Sequence, residues 1–369
     1  IPIPALDDVL EAWGLSLNGY LDVSYSYLST SGKFAPPPAT PASLNSRVSD
    51  FQHNSFSVHQ AAFTLAKQPK EGFGALVNLT AGEDADVIHS FGSGFGTTTN
   101  FDVTQAFAQY AKGPFTAIGG KYVTLAGAEV INPTQDTNFS RSILFGFAIP
   151  FTHTGVRGTY AVSDTLSFIL GVNNGWDQLQ DANSSKTAEV GVSYAPLKNL
   201  SIAAQGYFGR EPVTAPLPST QQGFRSLVDV VATYTATDKL TLILNGDWGA
   251  QKNTAGSGLV TTGNNTARWY GLAAYGIYQF TDQWRGSLRA EYFGDKDGYR
   301  TGVAQDWKEV TLTLAYLPTK NIELRGEVRA DRSNGTLSTG GPVSGAFVKT
   351  NGSLSKNQTS VGLEALFKF

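Results

Sequence analysis

The sequence predicts an all-β fold: a transmembrane antiparallel β-barrel of about sixteen strands, with short periplasmic turns and long extracellular loops. Three observations predict it. The chain closes on strict alternation, with Thr359, Val361, Leu363, Ala365, Phe367 and Phe369 on one face and Ser360, Gly362, Glu364, Leu366 and Lys368 on the other. An apolar face that ends in aromatics suits a last strand sealing a wall against lipid. Period-2 segments of this kind recur along almost the whole chain. The connections between them alternate between short turns and long loops rich in Gly, Ser, Thr and Asn, which a sandwich or propeller does not explain.

Bulk composition agrees. Hydrophobic residues make up 41% and mean hydropathy is −0.15, as expected when half of each strand faces water. The longest apolar stretch, 143–151, is interrupted by Gly146 and Pro150, so no helical membrane span is expected. The 40 glycines and 12% aromatics suit many strands joined by tight turns. Absence of cysteine excludes disulfides and thiolate metal sites. A net charge of −3 argues against nucleic acid as a partner. The chain has no methionine and starts Ile1-Pro2-Ile3-Pro4, so the expectation is a mature chain with its signal peptide already removed.

In order along the chain, residues 1–14 are expected to form an N-terminal periplasmic segment and 15–369 the barrel. The first strand, 15–28, puts Leu15, Leu17, Leu21, Val23, Tyr25 and Tyr27 on one face and Ser16, Asn18, Asp22, Ser24 and Ser26 on the other. The next strands fall at 54–67, 73–82, 101–111, 115–125, 152–162, 165–174 and 186–195. Then follow 200–209, 223–234, 239–250, 267–280, 283–293, 306–317, 321–331 and 357–369. Each reaches the ~9–11 residues a tilted strand needs to cross hydrocarbon. The second and fourth alternate poorly. Aromatics gather at strand ends, near short turns (Phe73, Tyr110, Phe115, Tyr160, Trp284, Tyr316) and near long loops (Tyr25, Tyr122, Trp248, Tyr270, Tyr292). Two such levels are what two membrane interfaces select.

The water-facing set carries the chemistry. In 321–331, Glu323, Arg325, Glu327, Arg329 and Asp331 share a face opposite Ile322, Leu324, Gly326, Val328 and Ala330. The strand from Trp284 repeats the plan with Arg285, Arg289 and Glu291 inward. A dry core could hold these ladders only at a heavy desolvation cost, whereas an aqueous lumen holds them readily. The same parity turns Asp22, Lys121, Arg157, Glu189, Asp229, Asp247, Glu364 and Lys368 inward, along with Tyr20, Tyr207, Tyr275 and Phe293. The inner charges are mixed in sign, which predicts weak ion preference.

Catalytic chemistry is not expected. His53, His59, His89 and His153 show neither metal-ligand spacing nor a triad partner. Gly119-Gly120-Lys121-Tyr122 lacks the upstream glycine and the Ser/Thr of a phosphate loop. No cofactor or metal is expected.

Two segments carry a family likeness: Pro150-Phe151-Thr152-His153-Thr154-Gly155-Val156-Arg157 and Gly171-Val172-Asn173-Asn174-Gly175-Trp176-Asp177, supported by Gly120-Lys121-Tyr122 and the terminal Phe. With them the chain resembles the second β-barrel porin family of Gram-negative bacteria. The resemblance implies an outer-membrane pore and brings no catalytic or ligand residues. In the general trimeric porins, which the chain also resembles, the loop after the fifth strand folds inward and narrows the barrel. That likeness makes 126–151, with Glu129, Asp136 and Arg141, a candidate constriction loop. Glu129 and Asp136 would face an arginine wall of Arg157, Arg285, Arg289, Arg325 and Arg329, setting up a transverse field. The alternative is a loop over the rim, with the ladders paired among themselves.

The expected function is passive diffusion of small hydrophilic solutes and ions. The alternatives are a substrate-specific channel and a plugged barrel acting as anchor or scaffold. Outer-membrane lipid and lipopolysaccharide, the barrel-assembly machinery acting through Phe369, and a homotrimer by analogy with barrels of this size complete the expected partners. Changing Arg289, Arg325 and Arg329 together to Ala is expected to shift selectivity toward cations, read as a reversal potential.

Overall fold

The computed structural model describes residues 10, 12–31, 45–50, 52–93, 99–213, 221–255, 263–335 and 347–369. Most of the N-terminal segment expected at 1–14 lies outside them.

The wall is one closed antiparallel barrel of sixteen strands, each bonded to its sequence neighbour, with the last bonded back to the first. In order these are β1 (Ser16–Leu28), β2 (Ser55–Lys67), β3 (Gly72–Ala81), β4 (Phe101–Lys112), β5 (Phe115–Val123), β6 (Thr152–Ser163), β7 (Leu166–Asn173) and β8 (Thr187–Leu197). The second half holds β9 (Leu200–Pro212), β10 (Gln222–Thr235), β11 (Leu240–Lys252), β12 (Thr266–Thr281), β13 (Trp284–Asp295), β14 (Gln305–Thr319) and β15 (Ile322–Ser333). Two short strands, β16 (Phe347–Val348) and β17 (Leu354–Ser355), pair outside the wall, and β18 (Asn357–Lys368) closes it. Closure removes every strand edge, which is the condition for spanning lipid with strands. The expected spans and count agree with this wall. The β16–β17 pair is additional, two residues per strand inside a loop.

β2 and β4 alternate poorly in sequence because each contains a bulge. Asp22 pairs with Gln60 and Val23 with Val58, so His59 is the extra residue of β2. Asn78 pairs with Gln105 and Leu79 with Val103, leaving Thr104 extra in β4. One inserted residue inverts the in–out pattern beyond it.

Elsewhere parity holds. In β15 the odd residues from Glu323 to Asp331 are buried and the even ones from Leu324 to Arg332 are mostly exposed. Trp284 and Tyr316 stack at 4.7 Å at the short-turn end, and Tyr270 and Tyr292 lie 6.0 Å apart near the loops. Tyr122 departs from the expected belt. Gly120 takes φ +139°, and Tyr122 is buried beneath the Arg157 guanidinium at 4.2 Å. Only glycine enters that backbone region at little cost.

Candidate functional site

The segment between β5 and β6 leaves the wall at Thr124, whose N–H donates to the carbonyl of Phe151 at 2.9 Å. Between those points it crosses the lumen and packs against β10–β15 on the far side. It contains a one-turn 3-10 helix, Pro133–Gln135, capped by Asn132, and a short helix α1, Ile143–Phe147, capped by Ser142, whose hydroxyl accepts from the N–H of Phe145. The local sequence explains both. Asn-Pro and Ser-Ile place a side-chain acceptor just before each helical turn.

Wall charges hold this segment by its backbone. Glu327 accepts from the N–H of Phe139 at 2.8 Å and of Ser140 at 3.0 Å. Glu291 accepts from Ile143 at 3.0 Å and Leu144 at 3.2 Å, the first amides of α1. The arginines take carbonyls. Arg325 donates to Asn138, Pro133 and Asp136, Arg289 to Ser140, and Arg329 to Arg141. Unpaired donors and acceptors at a helix start and in a loop are thus met by charged groups, the stronger kind of hydrogen bond.

The carboxylates also neutralise the arginines. Arg289 touches Glu129 at 2.6 Å, Glu291 at 3.2 Å and Glu309 at 3.3 Å. Arg325 pairs with Glu323 and Glu364, Arg329 with Asp331, and Arg285 with Glu323. Arg289 and Arg329 are both 0% exposed.

The candidate residues therefore separate into groups. Glu129, Arg285, Arg289, Glu291, Glu323, Arg325, Glu327 and Arg329 meet on the β13–β15 wall and its inward loop. Asp136 does not face that wall. It pairs with Arg141 within the loop, and Arg141 also donates to the carbonyl of Ile131 at 2.6 Å. Arg157 lies elsewhere, bonded to Glu189 on β8, and Lys121 is bonded to Asp102 on β4. Opposed charges thus meet in contact, and Glu129 reaches Arg289 directly instead of facing it across water.

An apolar core fills the lumen around α1. Ile143, Leu144, Phe145 and Phe147 pack with Trp176, Trp269, Phe293 and Trp307. Trp269 donates its indole N–H to the carbonyl of Ala148 at 3.0 Å. Of the inward aromatics, Tyr207, Tyr275 and Phe293 belong to this core, and Tyr20 donates to Gln60 at 2.7 Å. They are packed side chains rather than a free aromatic lining of the channel.

Sequence reasoning missed a second contributor, residues 45–50. Ser46 donates to Asp331 at 2.8 Å, Arg47 bonds Asp50 and Ser360, and Val48 packs against the core. His59 and Gln60 both hold Asp84 at the mouth. Burial pulls the Asp84 carboxyl up, but the bond and charge of His59, the nearby Arg141 charge and the Gln60 bond prevail and hold it below the ordinary carboxylate range. The signal available for the loop's inward course was the apolar run 143–151, out of place in an exposed loop.

One wall pair is electrostatically awkward. Asp229 and Asp247 face each other across β10 and β11, both buried. Two facing buried carboxylates cannot both ionise without cost. Asp247→Asn removes that conflict and is expected to raise the unfolding midpoint in detergent; a lower midpoint would refute it.

A family model described as "Putative beta-barrel porin-2, OmpL-like" matches residues 14–369. No curated protein matches the chain. Among solved structures, the outer membrane channel DcaP of Acinetobacter baumannii is similar at TM-score 0.63 and 12% identity, covering 96% of this chain and 97% of that one. A trimer form of OmpT from Vibrio cholerae gives 0.62 and 12%, covering 96% and 99%. An anion-selective porin from Comamonas acidovorans gives 0.61 and 10%, covering 96% and 99%. At these identities the structures speak for the fold.

Proposed function

The chain belongs to the porin-2 β-barrel family of the bacterial outer membrane, and from that premise we propose that it is a narrow porin, passing ions and small hydrophilic solutes around an inward-folded segment. The observation that carries this reading is the pinning of 126–151 inside the lumen by Arg289, Arg325, Arg329, Glu291 and Glu327. Those charges stabilise the constriction. Because each is paired on contact, they leave little net field, and weak ion preference follows. Toward the short-turn end luminal residues open to solvent: Ser193 and Ser201 are exposed and Thr233 is half-buried. This gives a periplasmic vestibule below a tight middle. The chain's own lipid partners and the assembly machinery belong to the same reading, and the trimer form of OmpT supports a homotrimer.

The test is single-channel conductance of the purified protein in a planar bilayer. Small, stable, roughly ohmic steps are expected. Silence where a known porin inserts and conducts would reject the open pore. It would favour the second reading, a plugged barrel, for which the apolar core around α1 is the specific support. Saturable block by one solute would point instead to a substrate-specific channel.

A further inference from the structure

The outer face of the barrel holds a site the pore does not use. Lys308 on β14 and Arg332 on β15 are directly paired in register, both exposed, and both point to lipid rather than lumen. Asn357 on β18 is the next residue across the sheet. Two cations opposed on neighbouring strands repel, so the row calls for an anion.

No carboxylate supplies one. Two other exposed lysines near the long loops have an acid beside them, Lys186 with Asp181 and Lys296 with Asp306. Asp306, the outward acid closest in sequence to Lys308, is taken by Lys296 at 2.8 Å and by Asn334 at 3.0 Å. Among the described residues neither Lys308 nor Arg332 has an ion pair. The remaining acids of the chain outside the described residues, Asp7, Asp8 and Glu11, all precede β1.

The surroundings suit an amphiphile. Lys308, Arg332 and Asn357 rim a groove of about 430 Å³ whose floor includes Val310, Ala330 and Thr359. Below it the outward rows are apolar: Leu312 beside Val328, then Leu314 beside Gly326, then Tyr316 beside Leu324. From Lys308 to Tyr316 the strand runs about 27 Å at ~3.4 Å per residue, or about 21 Å of height at ~40° tilt. An outer-membrane barrel's apolar band is ~25 Å tall. With Tyr316 in the lower aromatic level, that puts the row a few Å below the top of the band, level with Tyr292 of the upper aromatic belt, the register partner of Lys308 on β13, from where the long side chains reach the outer leaflet's headgroups.

Resting on the outer-membrane reading above, we propose that Lys308 and Arg332 bind a phosphate of the phosphorylated glycolipid of the outer leaflet, with an acyl chain lying along Val310, Ala330 and Val328. Arginine supplies parallel N–H donors to phosphate oxygens, lysine a point charge, and Asn357 a neutral donor. The occupant is a lipid rather than free phosphate because the groove joins the cationic rim to an apolar floor.

The test measures binding of purified bisphosphorylated lipid A to the detergent-extracted full chain, wild type against Lys308→Gln/Arg332→Gln. Affinity is expected to fall about tenfold or more in the double variant. Wild type should bind dephosphorylated lipid as weakly as the variant binds lipid A, and Lys308→Arg/Arg332→Lys should restore binding. Equal binding by wild type and double variant would overturn the site. Displacement of lipid A by millimolar inorganic phosphate would overturn the lipid assignment. Both side chains are exposed, so the variants should keep the folded barrel's electrophoretic mobility. The single variants Lys308→Gln and Arg332→Gln serve if the double variant does not fold.

Discussion

Replacing Gly127–Ile149 with a short turn is expected to raise single-channel conductance severalfold. The ends of the excised segment are already adjacent, since Thr124 bonds Phe151 and Val123 pairs with Thr152. A tight hairpin can therefore rejoin β5 to β6 without moving the wall. What is lost is the material that crosses the lumen: α1, the loop side of the apolar core, and the loop carbonyls bonded by Arg289, Arg325 and Arg329. A sixteen-stranded wall without filling encloses an aqueous channel. Val48 would lose its contact with the excised segment, so residues 45–50 would loosen as well. Unchanged conductance in a correctly folded variant would show that current never passed beside the loop.

The same edit exposes what the sequence could and could not tell. Strand parity is local. Glu323 to Asp331 fixes which face of β15 is wet without reference to any other strand, and the long-loop, short-turn rhythm supplies the count. The two places where parity blurs are the bulges at His59 and Thr104, which only pairing with β1 and β3 makes visible. The course of the loop is non-local. Phe139 meets Glu327 across 188 positions and Ile143 meets Glu291 across 148. Nothing within the loop announces those partners beyond its apolar run. Charge counting was also blind to the choice between Glu129–Arg289 and Asp136–Arg141, because both acids sit on one loop and only its fold separates them. Arg157 shows the same limit: parity turns it inward, but the curvature of the wall gives it to Glu189 rather than to the β13–β15 cluster.

Arg289→Ala is expected to release the inward segment while leaving the barrel intact. The guanidinium is fully buried and serves Glu129, Glu291 and Glu309 together with the carbonyl of Ser140. Removing one partner of such a buried pair costs about 3–5 kcal/mol, because the carboxylates remain without compensation. Glu309 keeps the Thr311 hydroxyl and Arg329, the latter 3.7 Å away, and Glu129 keeps the N–H of Ser142 and the Tyr275 hydroxyl. The main-chain ladders of β12, β13 and β14 do not depend on Arg289, so the cost falls on docking of the loop. Amide exchange at Ser142, Ile143 and Leu144 should therefore speed up by about two to three and a half orders of magnitude, while exchange in β13 stays slow. Arg289→Lys should rescue little, since one ammonium cannot span three carboxylates and a carbonyl. Pairing Arg289→Ala with Glu129→Gln should recover part of the loss, because one stranded charge is removed with its partner. The freed carboxylates should also move the reversal potential toward cations. Unchanged exchange at the three amides would mean that Glu129 and Glu291 hold them without Arg289, and that Arg289 serves only to neutralise Glu129, Glu291 and Glu309.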